Sequence, residues 1–432
     1  MTHREQRTLS VGALSRVEGE GAMYVRSRGG TVEQVRLEIY EPPRFFEAFL
    51  RGRAYTEPPD ITARVCGICP VAYQMSACRA VEDACGVIVD GQLAELRRLL
   101  YCGEWIESHA LHIYLLHAPD FLGYPSGIEL AGANRPLVER GFALRRAGNS
   151  IMETVGGRSI HPVNVRVGGF HRAPSSDELT ALREPLRQAL DLAVETAQWV
   201  AGFEFPDFRC GHEQMAMSHP RRYPIEDGTI ATDRGLRFTA ADFENHVLEE
   251  QVPYSTALHA HLAGRGAYLT GPQPRYSLNS SLLSPLAQKV AAAAGLGPTS
   301  DNPFRSVIVR AVETVYAIEE ALRIIDAYEP PDRPAVAVGA RAGTGHGVTE
   351  APRGILYHRY ELAADGTVLS ARIVPPTSQN QAAIEDDLRG FVQDRLRLTD
   401  DQLTQACERL IRSYDPCISC AAHFLDLRMD RG

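Results

Sequence analysis

Two Cys-x-x-Cys pairs near opposite ends of the chain constrain its fold more than any other feature. The first pair is Cys66 and Cys69, and the second is Cys417 and Cys420. Two intervening residues allow one turn of backbone to direct both sulfurs at a single metal ion. Because 348 positions separate the pairs (417 − 69), only a folded domain brings them together. Four converging thiolates would make a soft site suited to zinc, nickel, copper(I) or an iron–sulfur cluster.

The remaining cysteines have no metal-ligand spacing, and we expect them to be buried as small hydrophobic residues. They are Cys78, Cys85, Cys102, Cys210 and Cys407. Nine cysteines in 432 residues are too few, and odd in number, for the disulfide framework of a small secreted protein. The cysteine content therefore predicts a reducing compartment.

Composition and charge argue against nucleic-acid-binding and membrane proteins. An apolar content of 44% suffices to bury a substantial core, in one large domain or two closely packed ones. The net charge of −9 is spread along the chain without a basic tract, which argues against nucleic-acid binding. No apolar run approaches the ~18–20 residues that span a bilayer, and the first residues lack the apolar segment of a secretory signal. We therefore predict a soluble, cytoplasmic protein without direct membrane insertion.

Hydrophobic periodicity predicts a mainly α protein with small peripheral β-sheets, in the α+β class. Helical spacing occurs at 92–117, 137–155, 177–204, 303–328, 380–396 and 400–413. The segment 303–328 is apolar around most of its circumference, which predicts burial on most sides. Strand-like patterns occur at 31–40, 354–362 and 367–374, and a glycine-rich loop is expected at 343–347. Residues 1–432 are expected to form a single large domain, with residues 1–8 frayed.

Spacing alone leaves three uses of the cysteine pairs open. A structural zinc site is one, although such sites usually staple small folds through ligands close in sequence. A thiol–disulfide motif is the second, although it usually follows a strand in a compact βαβ unit, a context that neither pair has. The third is a redox-active metal centre. The position of Cys417 and Cys420 near the C-terminus suggests a chain end that is locked into a deep site.

The segments around both cysteine pairs resemble the signature segments of the large subunit of nickel–iron hydrogenases. These segments are Arg64-Val-Cys-Gly-Ile-Cys-Pro70 and Asp415-Pro-Cys-Ile-Ser-Cys-Ala-Ala-His423. Four further segments resemble family motifs in the same order along the chain: Ser15–Glu20, Gly156–Pro162 with Gly168 and Gly169, Glu350–Gly354, and Val374–Thr377. The chain is therefore identified as a member of that family. The resemblance implies the large-subunit fold with a central helical bundle, and a single catalytic domain.

The resemblance implies a cluster of one nickel and one iron held by the four cysteines. By the family pattern, Cys69 and Cys420 bridge both metals, whereas Cys66 and Cys417 bind nickel alone. The iron carries carbon monoxide and cyanide, which maturation proteins install. Heterolytic cleavage of H2 needs a hydride acceptor and a nearby base, and thiolates donate strongly to the metals. A zinc ion, which has no redox chemistry, could not perform the electron steps.

The same resemblance implies catalytic roles for residues around Cys417. Glu18 is expected to relay protons beside Cys417, since burial would raise the pKa of its carboxyl group toward neutral pH. Arg353 is expected to overhang the open coordination position, with its permanently charged guanidinium paired to Asp415. These three side chains are predicted to act together with Cys417 in the reaction.

Two further groups of residues are implied around the iron and in the canopy above the cluster. Val374, Pro375 and Thr377 are expected to line the diatomic ligands of the iron. They would present apolar groups to carbon monoxide and hydrogen-bonding groups to cyanide. Many membrane-associated relatives have a second canopy aspartate where this chain has Ser108. The neighbouring Glu107, one residue further round the helix, is expected to point elsewhere.

A magnesium ion near the C-terminus is also implied, with Glu47 and His423 as ligands and a backbone carbonyl near residues 372–373 as the third. In relatives, a maturation endopeptidase cuts directly after this histidine once nickel is inserted. Residues 424–432 would place unpaired charges near the buried site at high desolvation cost. We therefore expect the chain to be a precursor that is cut after His423, which an intact mass of active enzyme would reveal.

The implied partners follow from the electrons that the reaction releases. Five scattered cysteines cannot hold iron–sulfur clusters, so electrons are expected to leave through an iron–sulfur small subunit. The runs 66–74 and 374–379 look most like sulfhydrogenase and NAD(P)-linked enzymes, which predicts a flavin-containing diaphorase that reduces NAD(P)+. Nickel-insertion proteins are expected during maturation. The alternatives are coupling to deazaflavin or heterodisulfide reductase, or a regulatory H2 sensor; a quinone-site subunit of the respiratory NADH dehydrogenase type should lack both cysteine pairs.

Overall fold

Helices dominate the computed structural model, which describes residues 6–422. They are α1 (Phe46–Leu50), α2 (Pro58–Thr62), α3 (Pro70–Cys85), α4 (Gly91–Leu111), α5 (Ala118–Leu122), α6 (Gly127–Ala133), α7 (Arg135–Gly156), α8 (Ser176–Thr180), α9 (Arg183–Ala201), α10 (Phe243–His246), α11 (Pro272–Asn279), α12 (Pro285–Ala293), α13 (Ser306–Asp326), α14 (Pro376–Gln393), α15 (Asp400–Tyr414) and α16 (Ile418–Ala421). The predicted mainly helical class is confirmed. None of the helices within residues 6–422 combines the length and apolar character needed to cross a membrane.

The long helices form a central bundle around α13. Helix α4 packs on α7 and α13, and α13 also packs on α9. Every side chain of α13 from Ser306 to Ile318 is buried, as its apolar circumference predicted. Asn302 caps the preceding turn by accepting a hydrogen bond from the amide of Phe304 at 3.0 Å. The crossing of α4 and α7 is close, since a Cβ on Gly148 would lie 2.5 Å from the carbonyl oxygen of Gly103.

Within residues 6–422, short strands build five small sheets at the margins of the bundle. They are β1 (Gln6–Val11), β2 (Gly21–Arg28), β3 (Thr31–Ile39), β4 (Val165–Arg166), β5 (Gly169–Phe170), β6 (Glu213–Ser218), β7 (Thr229–Thr232), β8 (Arg237–Phe238), β9 (Val247–Gln251), β10 (Leu258–Leu262), β11 (Tyr268–Leu269), β12 (Gly343–Ala351), β13 (Gly354–Leu362) and β14 (Val368–Val374). The sheet orders within the described residues are β1-β2-β3, β12-β13-β14, β11-β6-β7-β8, β10-β9 and β4-β5. Among the pairs of strands within residues 6–422, β11 and β6 alone pair in parallel.

Three local expectations change in the structure. Residues 6–8, expected to be frayed, begin β1 and pair with residues 26–28 of β2. The segment 177–204 is interrupted, because α8 ends at Thr180 and α9 begins at Arg183. The end of the segment 92–117 is a π-helical turn, His112–His117, rather than a continuation of α4. That residues 1–432 form a single domain stays a prediction, and His423 and residues 424–432 lie outside the described residues.

The glycine-rich segment at 343–347 was expected to be a loop, and this expectation is wrong. It forms the first half of β12, which pairs with β13 from Gly343↔Leu362 to Ala351↔Gly354. Its glycines allow the strand to lie directly on α3: a Cβ on Gly345 would stand 2.0 Å from the carbonyl oxygen of Ala80. A Cβ on Gly347 would stand 2.3 Å from that of Ser76. This contact fixes the helix that follows Cys69 against the strand that leads to Arg353.

We expect Gly345→Ala to destabilise the protein, because its Cβ would collide with backbone atoms of α3 that cannot move aside. Overpacking of this kind costs about 1–3 kcal/mol and occasionally more. Gly390→Ala is the matched control, since nothing lies within 4 Å of a Cβ there and alanine favours a helix over glycine by about 1 kcal/mol. Denaturant unfolding should show Gly345→Ala less stable and Gly390→Ala no less stable than the parent. Equal stability of Gly345→Ala would contradict the close packing of β12 on α3.

Candidate metal centre

The four cysteines of the two pairs converge at one buried point, here called the four-cysteine site. The Sγ atoms of Cys66, Cys69, Cys417 and Cys420 all lie within 4.8 Å of one another, and all four residues are buried. The Cys66 and Cys417 sulfurs are 3.5 Å apart and the Cys69 and Cys420 sulfurs 3.6 Å. None of these cysteines forms a disulfide. Within residues 6–422, no other group of three or more cysteine, histidine or acidic side chains has this geometry.

One cysteine of each pair lies directly before the first residue of a helix. Cys69 is the residue directly before α3, whose first residue is Pro70, a position where proline loses no helical hydrogen bond. The amides of Ile68 and Cys69 donate to the sulfur of Cys66 at 3.3 and 3.4 Å. Cys417 precedes α16 in the same way.

Contacts between distant segments then bring the two pairs together. Residues 18 and 417 form an isolated parallel β-bridge, and the amide of Ile418 donates to the carbonyl oxygen of Glu18 at 3.0 Å. On the other side, the buried carboxylate of Glu104 on α4 accepts from the amide of Val71 at 2.6 Å and from that of Ala72 at 3.1 Å. A carboxylate at the start of a helix satisfies free amides and complements the helix dipole. The start of α3, and with it Cys69, is thereby fixed to the bundle.

The donor set fits a soft metal. Burial raises the pKa of the Cys417 thiol, whereas hydrogen bonds from the neighbouring cysteines, Cys417 first, lower the pKa of Cys66. Several thiolates at this spacing would repel one another in a dry environment, and a bound cation removes that cost. Sulfur ligands select nickel, iron, zinc or copper(I) over magnesium or calcium. The site therefore has the chemistry of a thiolate-bound transition metal.

A carboxyl group contacts the sulfur of Cys417. The Cys417 thiol donates to Oε2 of Glu18 at 3.2 Å, and the amide of Ser419 donates to the same oxygen at 3.0 Å. Burial raises the pKa of Glu18, and negative charge at Cys66 acts in the same direction. The structure thus brings Glu18 to the cysteine beside which the sequence resemblance placed it.

Two buried guanidinium groups and one carboxylate lie beside the four-cysteine site. Arg353 donates from Nη2 to Oδ1 of Asp415 at 3.1 Å and from Nε to its carbonyl oxygen at 2.9 Å. Nη1 of Arg353 is buried and has no hydrogen-bond partner within residues 6–422. Arg310 approaches the other carboxylate oxygen of Asp415 at 4.0 Å. The predicted pairing of Arg353 with Asp415 is present, and Arg310 joins it.

Comparison with known proteins assigns the chain to a family. The model of the family described as nickel-dependent hydrogenase matches residues 44–132 and 307–423. Sulfhydrogenase 1 subunit alpha of Pyrococcus furiosus is 33% identical over 424 residues, which cover 97% of this chain and 98% of that protein. The chain belongs to the nickel-dependent hydrogenase family.

Further similarities agree with this assignment. The subunit beta of the NAD-reducing hydrogenase HoxS of Cupriavidus necator is 27% identical over 473 residues, covering 97% of this chain and 95% of that protein. A crystal structure of an NAD+-reducing [NiFe]-hydrogenase in the H2-reduced state superimposes with a TM-score of 0.86 at 26% identity, covering 96% of this chain and 99% of the other. The predicted large-subunit fold is confirmed. The hydrogenase is an oxidoreductase that acts on H2, and nickel and iron are the metals expected in it.

The residues predicted to surround the iron lie at the junction of β14 and α14. Val374, Pro375 and Thr377 are all buried there. The hydroxyl oxygen of Thr377 accepts a hydrogen bond from the amide of Cys417 at 3.0 Å. Thr377 therefore holds the backbone of a cysteine in the site, a contact that the sequence did not reveal.

The position at which a second canopy aspartate was considered from the sequence is Ser108, directly after Glu107. Ser108 is buried. Glu107 turns to α7, where its Oε1 accepts from Nε of Arg145 at 3.0 Å. Glu107 is thus tied to a partner on another helix.

The carboxylate predicted to bind magnesium is buried beside β14. Oε1 of Glu47 accepts from the amide of Ile373 at 2.7 Å, and burial raises the pKa of Glu47 to about 7. The negative charge of Glu249 contributes to that rise, and burial likewise raises the pKa of Glu249 to about 7. Buried carboxylates that are costly to ionise suit a hard cation such as magnesium. The other predicted ligand, His423, lies outside the described residues.

Sequence reasoning missed two charged residues that contact segments of the site: Glu104, which binds the start of α3, and Arg310, which approaches Asp415. Arg310 and Glu313 lie three residues apart in a helix that is otherwise apolar around most of its circumference. Charged side chains at buried helix positions are rare unless they are paired. The presence of Arg310 and Glu313 in an apolar helix therefore indicated buried ion pairs. The residues with which they pair were not visible in the sequence.

Proposed function

We propose that this chain is the catalytic large subunit of a nickel–iron hydrogenase that converts H2 reversibly into two protons and two electrons. The observation that carries the proposal is the convergence of four buried sulfurs within 4.8 Å of one another. Cys66, Cys69, Cys417 and Cys420 would hold the metals through their sulfurs. When bound, the nickel–iron pair supplies the Lewis acidity and redox chemistry that H2 cleavage needs. The burial of all four cysteines excludes bulk water from that reaction.

Glu18 carries the proton in this proposal. Its Oε2 stands 3.2 Å from the sulfur of Cys417, within reach for direct transfer. The amide of Ser419 holds the same oxygen in place at 3.0 Å. A proton on Cys417 Sγ can therefore pass to Glu18 Oε2 without movement of the backbone.

Arg353 and Asp415 form the polar cover of the site. Two hydrogen bonds to Asp415 fix the guanidinium of Arg353. Its buried Nη1 is left to face a ligand or substrate, since buried polar groups in folded proteins are nearly always satisfied. With the metals bound, this group would polarise H2 and donate a hydrogen bond to a ligand of the iron. Val374 and Pro375 would then face carbon monoxide, and Thr377 would donate to cyanide.

A magnesium ion bound by Glu47 and His423 completes the proposed cofactors. Its support is the buried Glu47 carboxylate, which the amide of Ile373 orients. The ion would stabilise the segment that follows Cys420, because a bound cation stabilises only the folded arrangement of its ligands. Maturation by nickel-insertion proteins and an endopeptidase belongs to the same proposal.

Electrons are proposed to leave through an iron–sulfur small subunit to a flavin-containing diaphorase. The overall reaction is then H2 + NAD(P)+ → NAD(P)H + H+, in the cytoplasm. The similarity to sulfhydrogenase 1 subunit alpha and to the NAD-reducing hydrogenase supports this assignment. Apart from the four-cysteine site, cysteines within residues 6–422 form no cluster that could carry electrons.

Metal analysis and isotope exchange of the co-expressed complex test the proposal. We expect nickel and iron near one each per large subunit, magnesium in addition, and infrared bands from carbon monoxide and cyanide. Under D2 the complex should form HD and H2, and under H2 it should reduce NAD+ or NADP+.

Each result bears on a different part of the proposal. Zinc alone, without the infrared bands, would contradict the nickel–iron site. Isotope exchange without reduction of either nucleotide would leave the site intact and exclude the NAD(P)-linked assignment.

A further inference from the structure

A buried ionic cluster lies directly behind the Arg353 turn, the five residues from Glu350 to Gly354. Its centre is Arg275 on α11, which is fully buried. Nη1 of Arg275 donates to the carbonyl oxygen of Ala351 at 2.9 Å, and Nη2 donates to that of Pro352 at 3.3 Å. Nη1 also donates to the Glu350 carboxylate at 2.9 Å. One guanidinium therefore holds the two successive carbonyls that precede Arg353.

Arg275 is itself held rigidly. The carboxylate of Glu313 on α13 binds it through two hydrogen bonds, each of 2.7 Å, from Nε and Nη2. Tyr223 and His109 bind the same carboxylate at 2.7 and 3.0 Å. The ring of Trp105 covers the guanidinium, with its centre 4.1 Å from the guanidinium carbon. Bidentate pairing and stacking of this kind fix both the position and the plane of an arginine.

The Arg353 turn has little freedom to move on its other sides. The indole nitrogen of Trp105 donates to the carbonyl oxygen of Glu350 at 3.1 Å. Gly271, directly before α11, lies so close that a Cβ there would stand 3.1 Å from the carbonyl oxygen of Arg353. Gly354 has a φ of +129°, and a Cβ on it would stand 2.7 Å from the amide nitrogen of Gly271. The start of α11 and the turn therefore form one packed unit.

We infer that Arg275 is a positioning residue that sets the orientation of Arg353 over the four-cysteine site, through the backbone of the Arg353 turn. The inference rests on the proposed role of Arg353. Arg275 does not touch the site: it binds Glu313 on the bundle side and the turn on the other. A lysine keeps the charge but cannot bind both carboxylates and both carbonyls from one plane. The turn would then shift by a fraction of an ångström or more, and Arg353 with it.

Arg275→Lys tests the inference in the complete complex, beside Arg353→Lys and the double variant. We expect Arg275→Lys to retain nickel and iron but to lower isotope exchange by about 10- to 100-fold, since a misplacement of ~1 Å can cost ~100-fold. The infrared bands of cyanide should shift, and the crystal structure should show a lengthened contact between Arg353 and Asp415. In the Arg353→Lys background, Arg275→Lys should have no further effect on exchange.

Arg97→Lys is the matched control. Arg97 lies on α4 and is buried with a bidentate partner, Glu82, at 2.8 and 2.6 Å. It does not contact the Arg353 turn, so this variant should show a comparable loss of thermal stability with unchanged exchange and infrared bands. Where Arg275→Lys fails to assemble, Glu350→Gln replaces it, because it weakens the same anchor and should shift the same bands.

The outcomes separate this inference from the proposed function. If the Arg353–Asp415 contact is unchanged in a crystal structure of Arg275→Lys, Arg275 does not position Arg353. Additive losses in the double variant would overturn the inference as well. If Arg353→Lys alone leaves exchange unchanged, the proposed role of Arg353 fails, while the structural and infrared comparison still decides whether Arg275 sets its position.

Discussion

Cys420→Ser is expected to remove nickel and iron from the purified subunit and to abolish isotope exchange. The sulfur of Cys420 belongs to the four-cysteine site and lies 3.6 Å from that of Cys69 and 2.7 Å from that of Cys417. A serine hydroxyl is a hard, weakly acidic donor that does not replace a thiolate on a soft metal. Removal of a residue that only hydrogen-bonds to a metal ligand already costs ~10–100-fold in metal affinity or activity. Removal of a ligand itself should therefore cost more. Metal analysis and exchange under D2 measure both effects.

Cys78→Ser provides the control for this prediction. Cys78 is fully buried in α3, close in sequence to Cys69, but it lies outside the four-cysteine site. Burial raises the pKa of its thiol, which therefore stays neutral. A buried hydroxyl without a partner costs about 1–3 kcal/mol, so this variant should lose stability but keep both metals and its exchange rate. Nickel, iron and full exchange in Cys420→Ser would show that the other three cysteines suffice.

The helices of the central bundle were predictable because the periodic spacing of their apolar residues is local and continues over many residues. Helix α13 carries its apolar pattern over about six turns, and its burial follows from that pattern alone. The edge strand β1 shows the opposite case. Of its six residues only Leu9 is buried, and the strand exists because it pairs with β2. Pairing of that kind depends on the partner as much as on the sequence of the strand.

The glycine-rich half of β12 was misinterpreted for a related reason. Glycine disfavours strands by its own propensity, and three glycines in five residues are typical of a loop. In the fold, those glycines are what allows β12 to lie on α3, where any Cβ would collide with backbone atoms. Tertiary packing therefore outweighs local propensity in this segment.

The four cysteines of the site were visible in the sequence, whereas the residues that support them were not. Two residues between cysteines is a local spacing with a direct chemical meaning, and the family resemblance then supplied Glu18 and Arg353. Arg275 has its partners 38 and 75 positions further along the chain. No local pattern links such positions, so only the folded structure could reveal that anchor.

Glu18→Gln is expected to assemble the site normally and to lose most of its isotope exchange. Glutamine has the shape of glutamate, and its amide oxygen can still accept from the amide of Ser419, which now donates to Glu18 Oε2 at 3.0 Å. It cannot take up and release a proton at working pH. A positioned general acid or base contributes typically about 10²- to 10⁴-fold, so exchange should fall by a factor in that range. Nickel content, iron content and the infrared bands should stay close to those of the parent.

Glu20→Gln is the matched control, because Glu20 lies two residues further along the same segment and is exposed. It should leave both exchange and metal content unchanged. If Glu18→Gln retains its metals and exchanges at the parental rate, the proton leaves Cys417 through another group. If instead the metals are lost, Glu18 serves to build the site: its carbonyl oxygen and its Oε2 already hold the amides of Ile418 and Ser419. Exchange lost while the metals stay assigns Glu18 to proton transfer, because a purely structural residue would lose both together.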